Sequence, residues 1–293
     1  MQTTIDIIDQ AFTDHHAGYL AFSGGGDSLV LLDIIYTRTK RRPDVMFADD
    51  QMSHPDTLPF IRKTCKRYGA ALHIAKATRT PLEQWHAQGW PMLGKLAARL
   101  WMQKHRHRNM GFKLDVSSCC RNMKIAPARK LTRKLGIDMQ LTGQRGQQDD
   151  ALRGLRAIKD GSTVYVKTDK LHIVSPLTGW TDIMIRRYIE QNHLQEHPAK
   201  STGAVTIGCL YCGGGAQFTN SGFPILRRQC PDLWRWFMVE VKAGEIVLSI
   251  KHDTPLDRTR QAIDSAGGLD HLAATRPHIF DFLRMPPMKG YEK

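Results

Sequence analysis

One local pattern restricts this chain more than any other. An apolar run, Gly18–Phe22 (GYLAF), passes through Ser23-Gly24-Gly25-Gly26-Asp27-Ser28 into a segment with helical spacing. In that segment, Ser28–Thr39, the residues Leu29, Leu32, Ile35 and Tyr36 fall on one helical face. A strand that turns through glycines into a helix is the opening of a βαβ unit, and such units impose a parallel sheet. The rest of the first half agrees. Strands are predicted at Asp44–Ala48, Ala71–Ala75 and Asp138–Thr142, and helices at Leu58–Tyr68, Leu93–His105 and Ile125–Leu135. A hairpin is predicted over Thr163–Val174 and a helix over Thr181–Asn192. The expected fold class is α/β, a doubly wound and mainly parallel sheet.

Beyond Gly222 the character changes. A Trp-rich stretch, PDLWRWFMVEV, precedes an expected short hairpin near Glu245–Ile250 and helices at Leu256–Ala266 and Asp270–Leu283. Residues 1–215 are read as the main domain and 216–293 as a C-terminal mixed α+β appendage. The 293 residues suit one large or two modest domains. Apolar runs fall short of the roughly 18 residues of a membrane span. The N-terminus carries Asp6 and Asp9 and has the features of no secretion signal, so a cytoplasmic protein is expected.

Charge adds a partner class. Lys and Arg total 42 against 28 Asp and Glu, a net +14. Between Lys95 and Leu135 lie twelve Lys/Arg and one acid, Asp115. So local an excess points to a polyanion, and a nucleic acid is the expected partner of the Lys95–Leu135 patch.

The glycine turn has its own chemistry. Glycines let the backbone approach a ligand, and free N–H groups at a helix N-terminus bind anions. Ser23 and Ser28 add hydroxyl donors. The turn lacks the lysine of a Walker P-loop and does not fit G-x-G-x-x-G. The six cysteines give a second centre: a Cys119-Cys120 pair, then Cys209-x-x-Cys212 beginning 89 residues after Cys120, with Cys65 and Cys230 apart. Four thiolates at such spacing suit zinc or an iron–sulfur cluster. Cys65 reads as an ordinary helix thiol, Cys230 as structural or a sulfur carrier, and Trp234 and Trp236 as core aromatics.

These residues resemble a known family. SGGGDS resembles the PP-loop of the ATP pyrophosphatases, in which Asp27 would belong to a Mg²⁺–pyrophosphate site. Asp49-Asp50-Gln51-Met52-Ser53-His54-Pro55-Asp56-Thr57 resembles the D-T-G-x-x-x-P-E-T of phosphoadenosine phosphosulfate (PAPS) reductases, with Asp50 and Gln51 departing from T-G. Leu141-Thr142-Gly143-Gln144-Arg145 with Arg153 is similar to a strand-end G-x-R…R that grips phosphate or sulfate. Ser175-Pro176-Leu177-Thr178-Gly179-Trp180 is similar to P-L-x-x-W-T, and Ile207–Cys212 to I-G-C-x-x-C. The resemblance covers about residues 15–215. It implies an adenine nucleotide α-hydrolase-like fold and binding of an adenine nucleotide, ATP or adenylyl sulfate, with Mg²⁺. Ser23, Gly24, Gly25, Gly26, Asp27, Ser28, Asp49, Gly143, Arg145 and Arg153 would hold it, with Asp27 and Arg145 catalytic.

Cys119-Cys120-x-x-x-Lys124-x-x-Pro127 also resembles the iron–sulfur branch of that family. There it implies Cys119, Cys120, Cys209 and Cys212 as ligands of a 4Fe-4S cluster, with Lys124 nearby to offset their charge. Two reactions then compete. Sulfonucleotide reductases take their nucleophile from a C-terminal E-C-G-x-H tail, whereas no cysteine follows Cys230 here. ATP-dependent adenylation with sulfur transfer to DNA or tRNA is favoured by the Asp in SGGGDS, by that missing cysteine and by the basic run through Cys119-Cys120. A sulfur donor or reductant protein is the further partner implied. A non-catalytic nucleic-acid-binding iron–sulfur protein is the third reading.

Overall fold

The structure is a computed structural model and describes residues 1–146, 162–204, 207–213 and 222–281. It divides into two compact units. The first comprises Met1–Asp50, Pro55–Thr78 and Met123–Lys200; the second comprises Gln51–His54, Arg79–Asn122 and Ser201–Lys293. A single cut at residue 215 does not reproduce this division, because two stretches from the first half of the chain join the second unit.

The first unit holds a six-stranded sheet. Its strands are β1 Gly18–Ala21, β2 Asp44–Asp49, β3 Leu72–Lys76, β4 Met139–Leu141, β5 Thr163–Val166 and β6 Leu171–Val174. The order is β3-β2-β1-β4-β6-β5, parallel throughout except for the antiparallel β5–β6 edge hairpin. Alternate side chains face opposite sides, and both sides are covered. Leu20, Val45 and Phe47 join a core with α1 Gln2–Asp14, α2 Gly26–Arg38, α3 Thr57–Tyr68 and the helix Asp182–Gln191. Tyr19, Met46 and Ala75 meet Ala128 and Leu131 of the helix Ala126–Lys134 on the other side. The doubly wound expectation holds.

The topology also places a crevice. From β1 the chain winds one way through β2 and β3, and then resumes on the other side of β1 with β4. The carboxyl ends of β1 and β4 therefore flank the switch point, where ligands of open α/β sheets bind. SGGGDS follows β1, and Gly143–Arg145 follows β4.

In the second unit, the described residues 222–281 hold helices and no strand. The hairpin expected near Glu245–Ile250 is instead part of the helix Ala243–His252, all of whose residues from Ala243 to Ile250 are buried. A continuous apolar run is compatible with a buried strand or a buried helix, and here packing selects the helix. Among the described residues no helix is long and apolar enough to cross a membrane.

Candidate functional site

The glycine turn is built for a close approach. Gly24 has φ +79°, a backbone that side chains disfavour, and the turn hands the chain to α2 at Gly26. The Ser28 hydroxyl donates to the Gly25 carbonyl at 2.9 Å and lies 3.3 Å from Ser23 Oγ. Gly143 touches the same turn: a Cβ there would stand 2.8 Å from Asp27 C and 2.9 Å from Ser28 N. A glycine at 143 is what lets the end of β4 sit against the first amides of α2.

Arg145 gathers the motifs. Its Nε lies 3.0 Å from Asp27 Oδ1, its Nη2 donates to Asp182 Oδ1 at 2.6 Å, and its Nη1 donates to the Trp180 carbonyl at 3.4 Å. SGGGDS, T-G-Q-R and P-L-T-G-W thus meet on one guanidinium that is 6% exposed. Its buried Nε has an ionic neighbour in Asp27 but no aligned hydrogen bond. Burial pushes the Asp27 carboxyl above its ordinary pKa, outweighing the opposing pull of Arg145 and Lys200. A carboxylate in an anion-binding turn needs cations around it, and Arg145 is one. Asp182 and Lys200 were not anticipated; Asp182 stands just after the N-cap Thr181, whose hydroxyl accepts from the Met184 amide at 3.2 Å. Asp49 ends β2, and its carbonyl accepts from Ala77 N at 3.2 Å. Arg153 lies outside the described residues.

Asp50, a departure from the family motif, is fully buried and pairs with Lys124 Nζ at 2.8 Å. The Lys124 charge, expected to offset the thiolates, is engaged by that carboxylate. Lys124 itself lies in a π-helical turn, Arg121–Ile125, a feature frequent at functional positions.

Both paired-cysteine motifs belong to the second unit, and one short segment holds both in place. Trp90 bridges to Leu114: its N–H donates to the Lys113 carbonyl and its carbonyl accepts from Asp115 N, both at 2.9 Å. Asp115 in turn accepts from the amides of Ser118 at 2.8 Å and Cys119 at 3.0 Å, starting the helical turn that carries Cys119-Cys120. Next to Trp90, the Pro91 carbonyl accepts from Gly213 N at 2.6 Å, immediately after Cys212. Cys212 N donates to the Cys209 carbonyl at 3.3 Å, and Leu210 N to the Met52 carbonyl at 2.9 Å.

The thiols feel one another. Burial pushes Cys119 up to about 12, with Cys120, Asp115 and Cys212 adding to the shift. Ionised together, thiols so placed would need a positive charge beside them. Trp85 Nε1 is buried without an aligned hydrogen-bond partner, and its nearness to Cys119 favours the thiolate. Among the described residues no three His, Cys, Asp or Glu side chains close around a single metal ion. In the same unit Trp85, Trp90, Tyr211 and Phe237 pack on one another, with ring centroids 4.9–5.9 Å apart.

The basic run is divided between the two units. Several of its charges are locally paired: Lys104 and Arg108 with Asp253, and Arg129 with Asp169. Cys65 is buried in α3 with its thiol pushed up to about 11, as suits an inert thiol. Trp234 is buried against Phe280, in keeping with a core role.

A mainly parallel sheet with a glycine turn and an arginine at its switch point has the adenine nucleotide α-hydrolase-like fold. A profile of the phosphoadenosine phosphosulfate reductase domain matches residues 18–214, and the chain belongs to that family. It is 26% identical over 218 residues to adenosine 5'-phosphosulfate reductase of Geobacillus kaustophilus, covering 74% of this chain and 81% of that protein. It is 26% identical over 217 residues to phosphoadenosine 5'-phosphosulfate reductase of Alkalilimnicola ehrlichii, covering 72% and 78%. With adenosine 5'-phosphosulfate reductase of Pseudomonas aeruginosa the identity is 27% over 245 residues, covering 82% and 79%. The crystal structure of PAPS reductase from Candida auris, a phosphate complex, shares the fold with TM-score 0.50 and 22% identity, covering 70% of this chain and 87% of that one.

Proposed function

We propose that this protein is an enzyme acting on a sulfonucleotide, with adenylyl sulfate or its 3'-phosphorylated form as substrate and sulfite as product. The observation that carries the nucleotide site is the convergence of SGGGDS, Gly143 and Arg145 at the switch point. Amides at the start of α2 and the Arg145 guanidinium would bind the phosphate–sulfate portion, as donors fixed before the substrate arrives. The sulfur chemistry is proposed from the relatives, which are named reductases and match at least 72% of this chain. Their weight reverses the order of the two reactions expected from sequence.

Cys119, Cys120, Cys209 and Cys212 would hold a 4Fe-4S cluster, which when bound supplies positive charge and an electron-accepting centre beside the thiolates. Trp85 would donate to the Cys119 sulfur, and the surrounding aromatic rings would restrict water. Arg145 would orient the substrate and balance charge developing on the departing phosphate.

One observation favours a second reading. Asp27 places a carboxylate in the anion site, where it repels a bare phosphate but would suit Mg²⁺ on a pyrophosphate. Under that reading the substrate is ATP, and sulfur passes to a nucleic acid bound by basic residues of the 95–135 run. The test is turnover by anaerobically purified protein. Sulfite formed from adenylyl sulfate and a dithiol supports the first reading. Pyrophosphate formed from ATP only with DNA or tRNA, and no sulfite, replaces it with the second.

A further inference from the structure

A cleft lies where the helix Lys95–Lys104 ends, lined by residues that neither paired-cysteine motif uses. Its volume is about 400 Å³, in the range of ligand sites, and its lining falls wholly between Trp101 and Lys113. That stretch belongs to the second unit.

The floor is aromatic. The rings of Trp101 and Phe112 pack with centroids 5.4 Å apart and planes 31° from parallel. Trp101 is 4% exposed and backs Phe112, which is half-buried, so Phe112 is the ring open to a flat ligand. The rim is cationic. Arg106, Arg108 and Lys113 line the cleft, all three exposed, and no Asp or Glu does. Asp253, which follows the helix Ala243–His252, holds one wall: it accepts from Lys104 Nζ at 2.9 Å, and its Oδ1 lies 2.8 Å from His105 Nε2 and 3.6 Å from Arg108 Nη1. It answers only part of the charge. Among the described residues no carboxylate pairs with Arg106 or Lys113.

The positive surface continues along the helix. Lys95, Arg99 and Met102 are exposed at spacing i, i+4, i+7 and share one face, and Met102 also lines the cleft. An accessible ring flanked by cations and extended by a basic stripe matches a strand whose bases can stack while its phosphates meet guanidinium and ammonium groups. A mononucleotide would leave Lys95 and Arg99 uncontacted. A duplex keeps its base faces stacked inside, and an acidic peptide has no need of the ring.

We propose that this cleft binds single-stranded nucleic acid, with one base on Phe112 and the neighbouring phosphates on Arg106, Arg108 and Lys113. The inference goes beyond the sulfonucleotide reaction, which needs no such polymer, and rests on neither reaction proposed above; in the second it would seat the acceptor.

The test is fluorescence anisotropy of a labelled oligonucleotide of mixed sequence, as DNA and as RNA, with the full chain and with neither ATP nor adenylyl sulfate present. A failure here therefore leaves the reaction at the glycine turn untouched, and a failure of that reaction leaves this binding untouched. Either single strand should bind more tightly than its own duplex. Arg106→Gln combined with Lys113→Gln should weaken single-strand binding about tenfold and lower the salt slope by roughly 1.4, the value for two phosphate contacts on a single strand. Phe112→Leu should weaken it about tenfold with the salt slope unchanged, as the loss of one stacked base requires. If Phe112→Leu does not fold, the double variant decides, because both of its side chains are exposed. Unchanged affinity in the double variant, or in a folded Phe112→Leu, overturns the proposal. So does tighter binding of the duplexes, displacement of the strand by poly-glutamate at equal charge, or binding of neither single strand.

Discussion

Replacing Gly143 by alanine tests whether the end of β4 is fitted to the glycine turn. The added Cβ would lie 2.8 Å from Asp27 C, 2.9 Å from Ser28 N and 3.0 Å from Asp27 O. Carbon contacts are comfortable at about 3.5 Å, so the two segments must part by roughly half an ångström. All three opposing atoms are backbone, which no rotamer change can move. Overpacking of this kind costs about 1–3 kcal/mol, and each kcal/mol lowers Tm by roughly 2–4 °C in a domain of this size. The atoms displaced include the first amides of α2, so affinity for a nucleotide should fall with stability. Gly179→Ala is the control, since a Cβ there meets nothing within 4 Å. The assay pairs thermal unfolding with nucleotide titration on both variants. Gly143→Ala with unchanged Tm and unchanged affinity would refute the reasoning.

Three further outcomes are expected. Burial raises the Asp27 pKa, so its ionisation opposes folding: this contribution is absent below the unfolded-state pKa and grows as pH rises through the folded one. Asp27→Asn should therefore unfold no earlier than wild type at pH 8, with the difference closing as pH falls, and a variant less stable at pH 8 would contradict this. Lys124→Met removes the ammonium 2.8 Å from the fully buried Asp50 and should cost about 3 kcal/mol, partly recovered at low pH where Asp50 is neutral; melting curves at two pH values check both parts. Gly213→Ala would drive a Cβ into the Met92 backbone and unseat the Cys209–Cys212 turn; on the proposed cluster reading the purified variant should hold less iron than the parent, as Cys120→Ala should, and equal iron in all three would count against that reading.

What could be read from sequence was what is local. The strand–turn–helix of SGGGDS, the edge hairpin at 163–174 and most helices rest on neighbouring residues, and β1 to β6 fall where apolar runs meet turn residues. The partners of Arg145 were not legible in full: Asp27 and the guanidinium come from two recognised motifs, but Asp182 is brought in only by the winding of the sheet. The Lys124–Asp50 pair spans 74 positions and carries no sequence pattern. The basic run read as one patch because charge is additive along a chain, while the fold assigns its halves to different units and pairs several of its members. The run around Glu245–Ile250 was ambiguous by nature, since complete burial erases the periodicity that separates a helix from a strand.

The central claim is that an adenine sulfonucleotide binds where SGGGDS meets Arg145. Titration calorimetry of adenylyl sulfate into the wild type and into Arg145→Met tests it most directly. The account predicts one binding event in the wild type and an affinity at least about tenfold weaker in the variant, the loss of a charge-assisted contact. Equal affinities, or binding to neither protein, would contradict it.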